Sequence, residues 1–281
     1  MSGFAPDWLR LRESADQAAR DRALLDRLAA RFAGREAVSV VDLGAGLGSN
    51  LRATVPYLPK VQRWMLVDHD PVLLAAACEV IAAWADSHQP AADGIDARKG
   101  DRSVHVELKR ADLAADVAPW GSSPPDLVTA AALFDLVSAS WIARFVADLA
   151  RARLPFYTAL THSGGTQWNP PHPGDAAMHA TLARHFGRDK GFGPAVGGAA
   201  TGLLADGLAA AGYDVARAPS PWRLGADDAA LMAALADGWA GAVRETGEVA
   251  GVVIDEWVAA RKRAGGACMV GHEDVLAFPP T

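Results

Sequence analysis

A short apolar run that breaks into three glycines at alternate positions constrains this chain more than any other feature. Val38-Ser39-Val40-Val41-Asp42-Leu43 reads as a buried parallel strand, and Gly44-Ala45-Gly46-Leu47-Gly48-Ser49-Asn50 follows it directly. Glycines at a strand-to-helix turn permit positive φ and let backbone N–H groups approach a ligand closely. The spacing excludes two common phosphate cradles. Ser49 stands where the dinucleotide pattern G-x-G-x-x-G/A needs its third small residue, and no Gly-Lys-Ser/Thr follows. Asp42 would repel a pyrophosphate and suits a ligand that carries a cation. A tight turn with no ligand is the bland alternative.

Around this turn the chain alternates strand and helix. Strands are predicted over 38–43, 63–68, 104–112, 126–131, 155–161, 213–218 and 268–278. Helices are predicted over 6–32, stopped by Gly34, over 72–85, opened by Asp70-Pro71, and over 139–152, capped by Ser138. One more follows over 199–211, stopped by Gly212, and 231–262 is expected to be mostly helical. This rhythm means an α/β fold, a doubly wound, mostly parallel seven-stranded sheet with an antiparallel last strand, plus helical lid insertions. One domain is expected over 1–281. It has a helical cap at 1–36, a cofactor-binding core at 37–161, a lid insertion at 162–198 and more core at 199–224. A helical insertion at 225–266 and the last strand at 267–281 complete it. Connections as long as the two insertions are usually functional.

With 51% hydrophobic residues among 281, the chain can bury a full core, and its net charge of −6 argues against a nucleic-acid partner. Cys78 and Cys268 make no disulfide framework and suit a reducing compartment. Residues 1–11 have no apolar leader core, and 72–85 is too short to cross a bilayer, where about 20 residues are needed. A cytoplasmic protein without a membrane partner is expected; its oligomeric state is not legible.

Val40-Val41-Asp42-Leu43-Gly44-Ala45-Gly46-Leu47-Gly48 resembles the first motif of class I S-adenosylmethionine-dependent methyltransferases, and the resemblance runs over 39–161. It implies a methyltransferase enzyme with S-adenosyl-L-methionine as cofactor, bound at Asp42, Gly44, Gly46, Gly48 and Asn50. Asp68 closes the second strand 20 residues past Gly48, where the family's acidic residue holds both ribose hydroxyls, a task that suits a carboxylate. Ala111-Asp112-Leu113 resembles the segment whose Asp accepts from the adenine amino group. The 126–138 stretch, with Ala131, resembles the segment whose backbone lines the methionine end of the cofactor.

Further candidates lie outside these motifs. Arg12, Asp16 and Arg20 share one helix face, either as a surface ion-pair ladder or with Arg20 facing the cofactor's carboxylate, as N-terminal residues often do in this family. His162 follows the fifth strand at the carboxyl edge of the sheet, where it could deprotonate an acceptor or hydrogen-bond from behind. Asp135 is either a catalytic carboxylate or a cap on the next helix. Trp168 and His172 are expected to line the acceptor pocket. The histidines of 162–198 match no metal-ligand spacing, so no metal is expected. Asn169-Pro170-Pro171-His172 lies beyond the fifth strand without a following aromatic, which rules out the motif of amino-methylating nucleic-acid enzymes. The two insertions should lie together above the cofactor and enclose a small-molecule acceptor at O, N or C. The alternatives are a methyltransferase acting on protein or RNA, or a catalytically silent cofactor-binding regulator.

Overall fold

Asp21 breaks the first predicted helix in two. Its carboxylate accepts from the Leu24 N–H at 2.8 Å and so caps a new helix that begins at the next residue. The 6–32 segment is therefore α1 (Pro6–Ala19) and α2 (Arg22–Phe32) rather than one rod. The computed structural model describes residues 5–263 and 265–280. Residues 1–4, 264 and 281, which belong to the predicted cap, helical insertion and last-strand segment, lie outside the described residues. After α2 come β1 (Ala37–Leu43), α3 (Ser49–Thr54), β2 (Val61–Asp68), α4 (Pro71–Trp84), β3 (Ser87–Ala91), β4 (Gly94–Lys99) and β5 (Arg102–Arg110). Next are β6 (Leu127–Ala131), α5 (Ala139–Ala152), β7 (Phe156–His162), β8 (Gln167–Asn169), α6 (Asp175–Phe186) and α7 (Ala200–Ala210). The chain continues through β9 (Asp214–Pro219), β10 (Trp222–Leu224), α8 (Ala229–Arg244), α9 (Gly251–Arg261), β11 (Ala267–Val270) and β12 (His272–Phe278).

The main sheet has nine strands in the order β3-β4-β5-β2-β1-β6-β7-β12-β9, not the seven expected. Its centre, β5 to β7, is parallel, and β12 runs antiparallel between β7 and β9. The two extra strands are a β3–β4 hairpin laid antiparallel on β5. Gly94 makes that pairing possible, because a Cβ there would stand 2.0 Å from the Val106 carbonyl oxygen. The predicted strand over 268–278 also divides. β11 joins a separate three-stranded sheet, β10-β11-β8, and only β12 enters the main one. The crossover is at Gly271, which is pressed against Gly164 so closely that a Cβ would lie 1.9 Å from its carbonyl oxygen.

Central strands are buried on both faces, as a doubly wound sheet requires. Leu28 of α2, Leu51 of α3 and Ile81 of α4 pack on Val38, Val40 and Trp64. Trp141 and Phe145 of α5 and Leu204 of α7 pack on Val41, Val128 and Phe156 on the opposite face. A third apolar cluster joins the two insertions, with Met178 of α6, Trp239 of α8 and Trp257 of α9 around the small sheet, and Trp8 and Ala15 of α1 against it. The two long segments thus pack against each other around the small sheet. Among the described residues no helix is long and apolar enough to cross a membrane.

Candidate active site

All three motif glycines adopt the left-handed backbone that the turn demands, with φ of +65° at Gly44, +52° at Gly46 and +72° at Gly48. The Asp68 carboxylate braces them. One of its oxygens accepts from the Gly46 N–H at 2.9 Å and the other from the Asp70 N–H at 3.0 Å. Asp70 itself caps α4 through the Val72 N–H. Each Asp68 oxygen keeps lone-pair capacity at the carboxyl edge of β2. Leu9 of α1 sits over the loop, 3.3 Å from where a Gly46 Cβ would lie, and a Glu13–Arg52 ion pair at 2.6 Å ties α1 to α3.

A row of polar side chains runs beneath this loop on one face of the sheet. Asp42, Thr129 and Tyr157 are register neighbours on β1, β6 and β7. Asn50 donates to Asp42 at 2.7 Å and to Thr129 at 3.0 Å. Burial pushes the Asp42 carboxyl up to about 7, against the Asn50 bond and the Arg20 charge, which pull it down. Arg20 is only 5% exposed and stands just past α1, apart from the Arg12–Asp16 pair, so the ladder stops at Asp16. Its charge also acts on Tyr157 and Asp274. Asp274 accepts from the Leu160 N–H, the Asp21 N–H and the Tyr157 hydroxyl at 2.9, 3.0 and 3.2 Å. Four buried polar atoms in this row have no partner within the protein: Arg20 Nε and Nη1, Asp42 Oδ2 and Asn50 Oδ1. Such orphans are rare in a folded core, and a guanidinium beside a carboxyl suits a ligand bearing both a carboxylate and an ammonium. Sequence reasoning missed Asp274 and Tyr157; an acid inside the apolar run Val275-Leu276-Ala277 was the available signal.

The remaining candidates divide. Asp112 is exposed and turns the chain by accepting from the Ala114 N–H at 2.9 Å, while the Leu113 carbonyl accepts from the Trp141 indole. Ala131 ends β6 and precedes Ala132, whose φ is +52°. Asp135 is not a helix cap, because Ser138 holds that place through the Trp141 N–H. Its Oδ1 is buried without a partner. Burial raises the Asp135 carboxyl against the opposing charge of His162, and burial lowers His162 against the charge of Asp135. The imidazole therefore stays neutral and able to take a proton. His272, its register partner on β12, is held down to about 3 by burial. Trp168 and His172 are placed elsewhere. Trp168 is core of the third apolar cluster, edge-on to Trp257 at 5.6 Å and to Trp239 at 6.1 Å. His172 shapes the turn before α6, accepting from the Gly174 N–H at 3.0 Å. Among the described residues no group of His, Cys, Asp or Glu is arranged to hold a metal. A cleft of about 500 Å³ opens at the α1–α2 joint, with Arg20 on its wall beside Pro219 and Arg223.

No protein-family model matches the sequence, and no curated protein matches it. Solved structures do match the fold. A putative methyltransferase from Bacillus halodurans C-125 superposes with a TM-score of 0.52 at 15% identity, over 92% of this chain and 99% of the other. The YcgJ protein from Bacillus subtilis gives 0.50 at 14% identity, over 93% and 100%. With the strand order, the glycine turn and the acid ending β2 already established, the chain has the class I methyltransferase fold.

Proposed function

We propose that this protein transfers a methyl group from S-adenosylmethionine to a small molecule enclosed beneath its lid. One observation carries the reading: the unpartnered Arg20, Asp42 and Asn50 atoms buried under three left-handed glycines. Arg20 would pair with the cofactor's carboxylate, Asp42 and Asn50 with its ammonium, and Asp68 with its ribose hydroxyls. When bound, S-adenosylmethionine supplies an electrophilic methyl group on a sulfonium. The protein's own task is to align an acceptor with that group and exclude water. His162, neutral and at the carboxyl edge of β7, takes the acceptor's proton. Asp135 steadies the resulting imidazolium. The lid argues for a small acceptor, since α1, α6, α8 and α9 pack as one body around the small sheet, where an extended polymer would need an open groove.

The test is a screen of cell metabolites with a labelled methyl donor, followed by identification of the labelled product. Label found only in protein or RNA would overturn the small-molecule reading. Calorimetry with S-adenosylhomocysteine supplies a second check: Asp68→Ala should weaken binding by about 1–3 kcal/mol, the scale of lost charge-assisted hydrogen bonds, with the fold retained. Unchanged affinity in the folded variant would remove Asp68 from the site.

A further inference from the structure

Four aromatic rings from four different elements, His162 among them, form a continuous band. Phe186 at the end of α6 meets His162 with centroids 6.1 Å apart, His162 meets His272 at 5.9 Å, and His272 meets Trp222 of β10 at 5.1 Å. A cation closes the band at each end. Arg12 lies over Trp222 at 5.0 Å and Lys190 over Phe186 at 5.2 Å. The two ends are not equivalent. Arg12 is already neutralised by Asp16, which it grips through Nε at 2.8 Å and Nη2 at 3.1 Å. Lys190 is half-buried, and among the described residues no ion pair involves it. Burial pulls its ammonium down, and the nearby charge that opposes this is Asp135.

The loop that presents Lys190 is built to hold it still. Asp189 Oδ1 accepts from the Gly191 N–H at 2.7 Å and the Gly193 N–H at 2.9 Å. Phe192 anchors the same loop to the core, edge-on to Trp141 at 5.8 Å. Placing a partly dehydrated ammonium beside an aromatic wall costs free energy unless an anion meets it. Asp135 acts on Lys190 without forming an ion pair with it among the described residues, which leaves the ammonium's direct partner to a ligand anion.

We propose that the methyl acceptor is a planar aromatic or conjugated carboxylic acid, its ring against the half-buried Phe186 and His162, which His272 and Trp222 back from within the core, and its carboxylate on Lys190. This rests on the methyl-transfer reading above and adds the acceptor's class to it. Lys190 is then a specificity-determining residue, and it takes no part in the proton transfer.

The test compares 4-hydroxybenzoate, 4-hydroxycinnamate and indole-3-acetate with their own methyl esters, by calorimetry on the full chain with and without S-adenosylhomocysteine. At least one acid should bind tenfold or more tighter than its ester. Lys190→Met should abolish that preference and leave ester affinity unchanged, whereas Lys190→Arg should keep most of it. No acid preference in any pair, or a preference that survives Lys190→Met, overturns the proposal. S-adenosylhomocysteine binding is measured in the same titrations. Its absence overturns the methyl-transfer reading, while its presence without a Lys190-dependent preference overturns this one alone.

Discussion

Asp42 is fully buried and has one oxygen without a partner, so it reports on whatever occupies the site. Its carboxyl sits at about 7 in the folded protein, raised from an ordinary value of 3.8. An acid raised by folding contributes stability that is complete below the lower value and is lost as pH rises through the higher one. The ligand-free protein should therefore lose stability between about pH 4 and pH 7, and Asp42→Asn should flatten that slope. Urea unfolding at pH 5 and pH 8 measures it; parallel slopes in the two proteins would mean that Asp42 is already ionised at pH 5. Arg20 gives a sharper ligand test. Arg20→Ala should weaken S-adenosylhomocysteine at least tenfold and barely change 5′-methylthioadenosine, which lacks the amino-acid end. Equal losses would make Arg20 a structural support of the α1–α2 joint.

Elements differ in how far local sequence decides them. β1 and its glycine turn, the α4 and α5 caps at Asp70 and Ser138, and the stop of α7 at Gly212 were legible, because each depends on a few adjacent residues. The small-sheet strands β8 and β10 are three residues each, too short to show a period, and exist because β11 pairs with both. β3 is exposed along most of its length and contains Pro90, so only its partner β4 makes it a strand. The candidate site divides in the same way. Asp42 and Asp68 belong to local motifs, whereas the roles of Trp168 and His172 depended on tertiary packing that no spacing reveals. The lid's predicted behaviour belongs at this scale. Binding of S-adenosylhomocysteine should slow amide exchange over 163–198 and in α1, whose Leu9 lies on the glycine loop. Exchange that slows only in the loop itself would show that the lid does not close on the ligand.

At the scale of the whole molecule, two apolar clusters flank the sheet and a third joins the two long segments proposed as a lid. Trp257 lies fully inside that third cluster. Trp257→Ala should cost roughly 3–5 kcal/mol, the range for deleting a large buried aromatic, and should melt the lid before the sheet. Two separated urea transitions, with the acceptor site lost in the first, would meet this expectation; one shared transition would make lid and sheet a single cooperative unit. The ties between chain-distant parts have a consequence for how the protein is made. Asp21 hangs its N–H on Asp274, 253 positions further along, and Asp16 is held by Trp222. A chain emerging from the ribosome exposes its glycine turn and Asp68 early, yet cannot seat Arg20 until β12 has been synthesised and slotted between β7 and β9. On the proposed reading of Arg20, ligand recognition would be deferred to the closing moments of translation, and a product that stops short of β12 would carry the motifs without the grip.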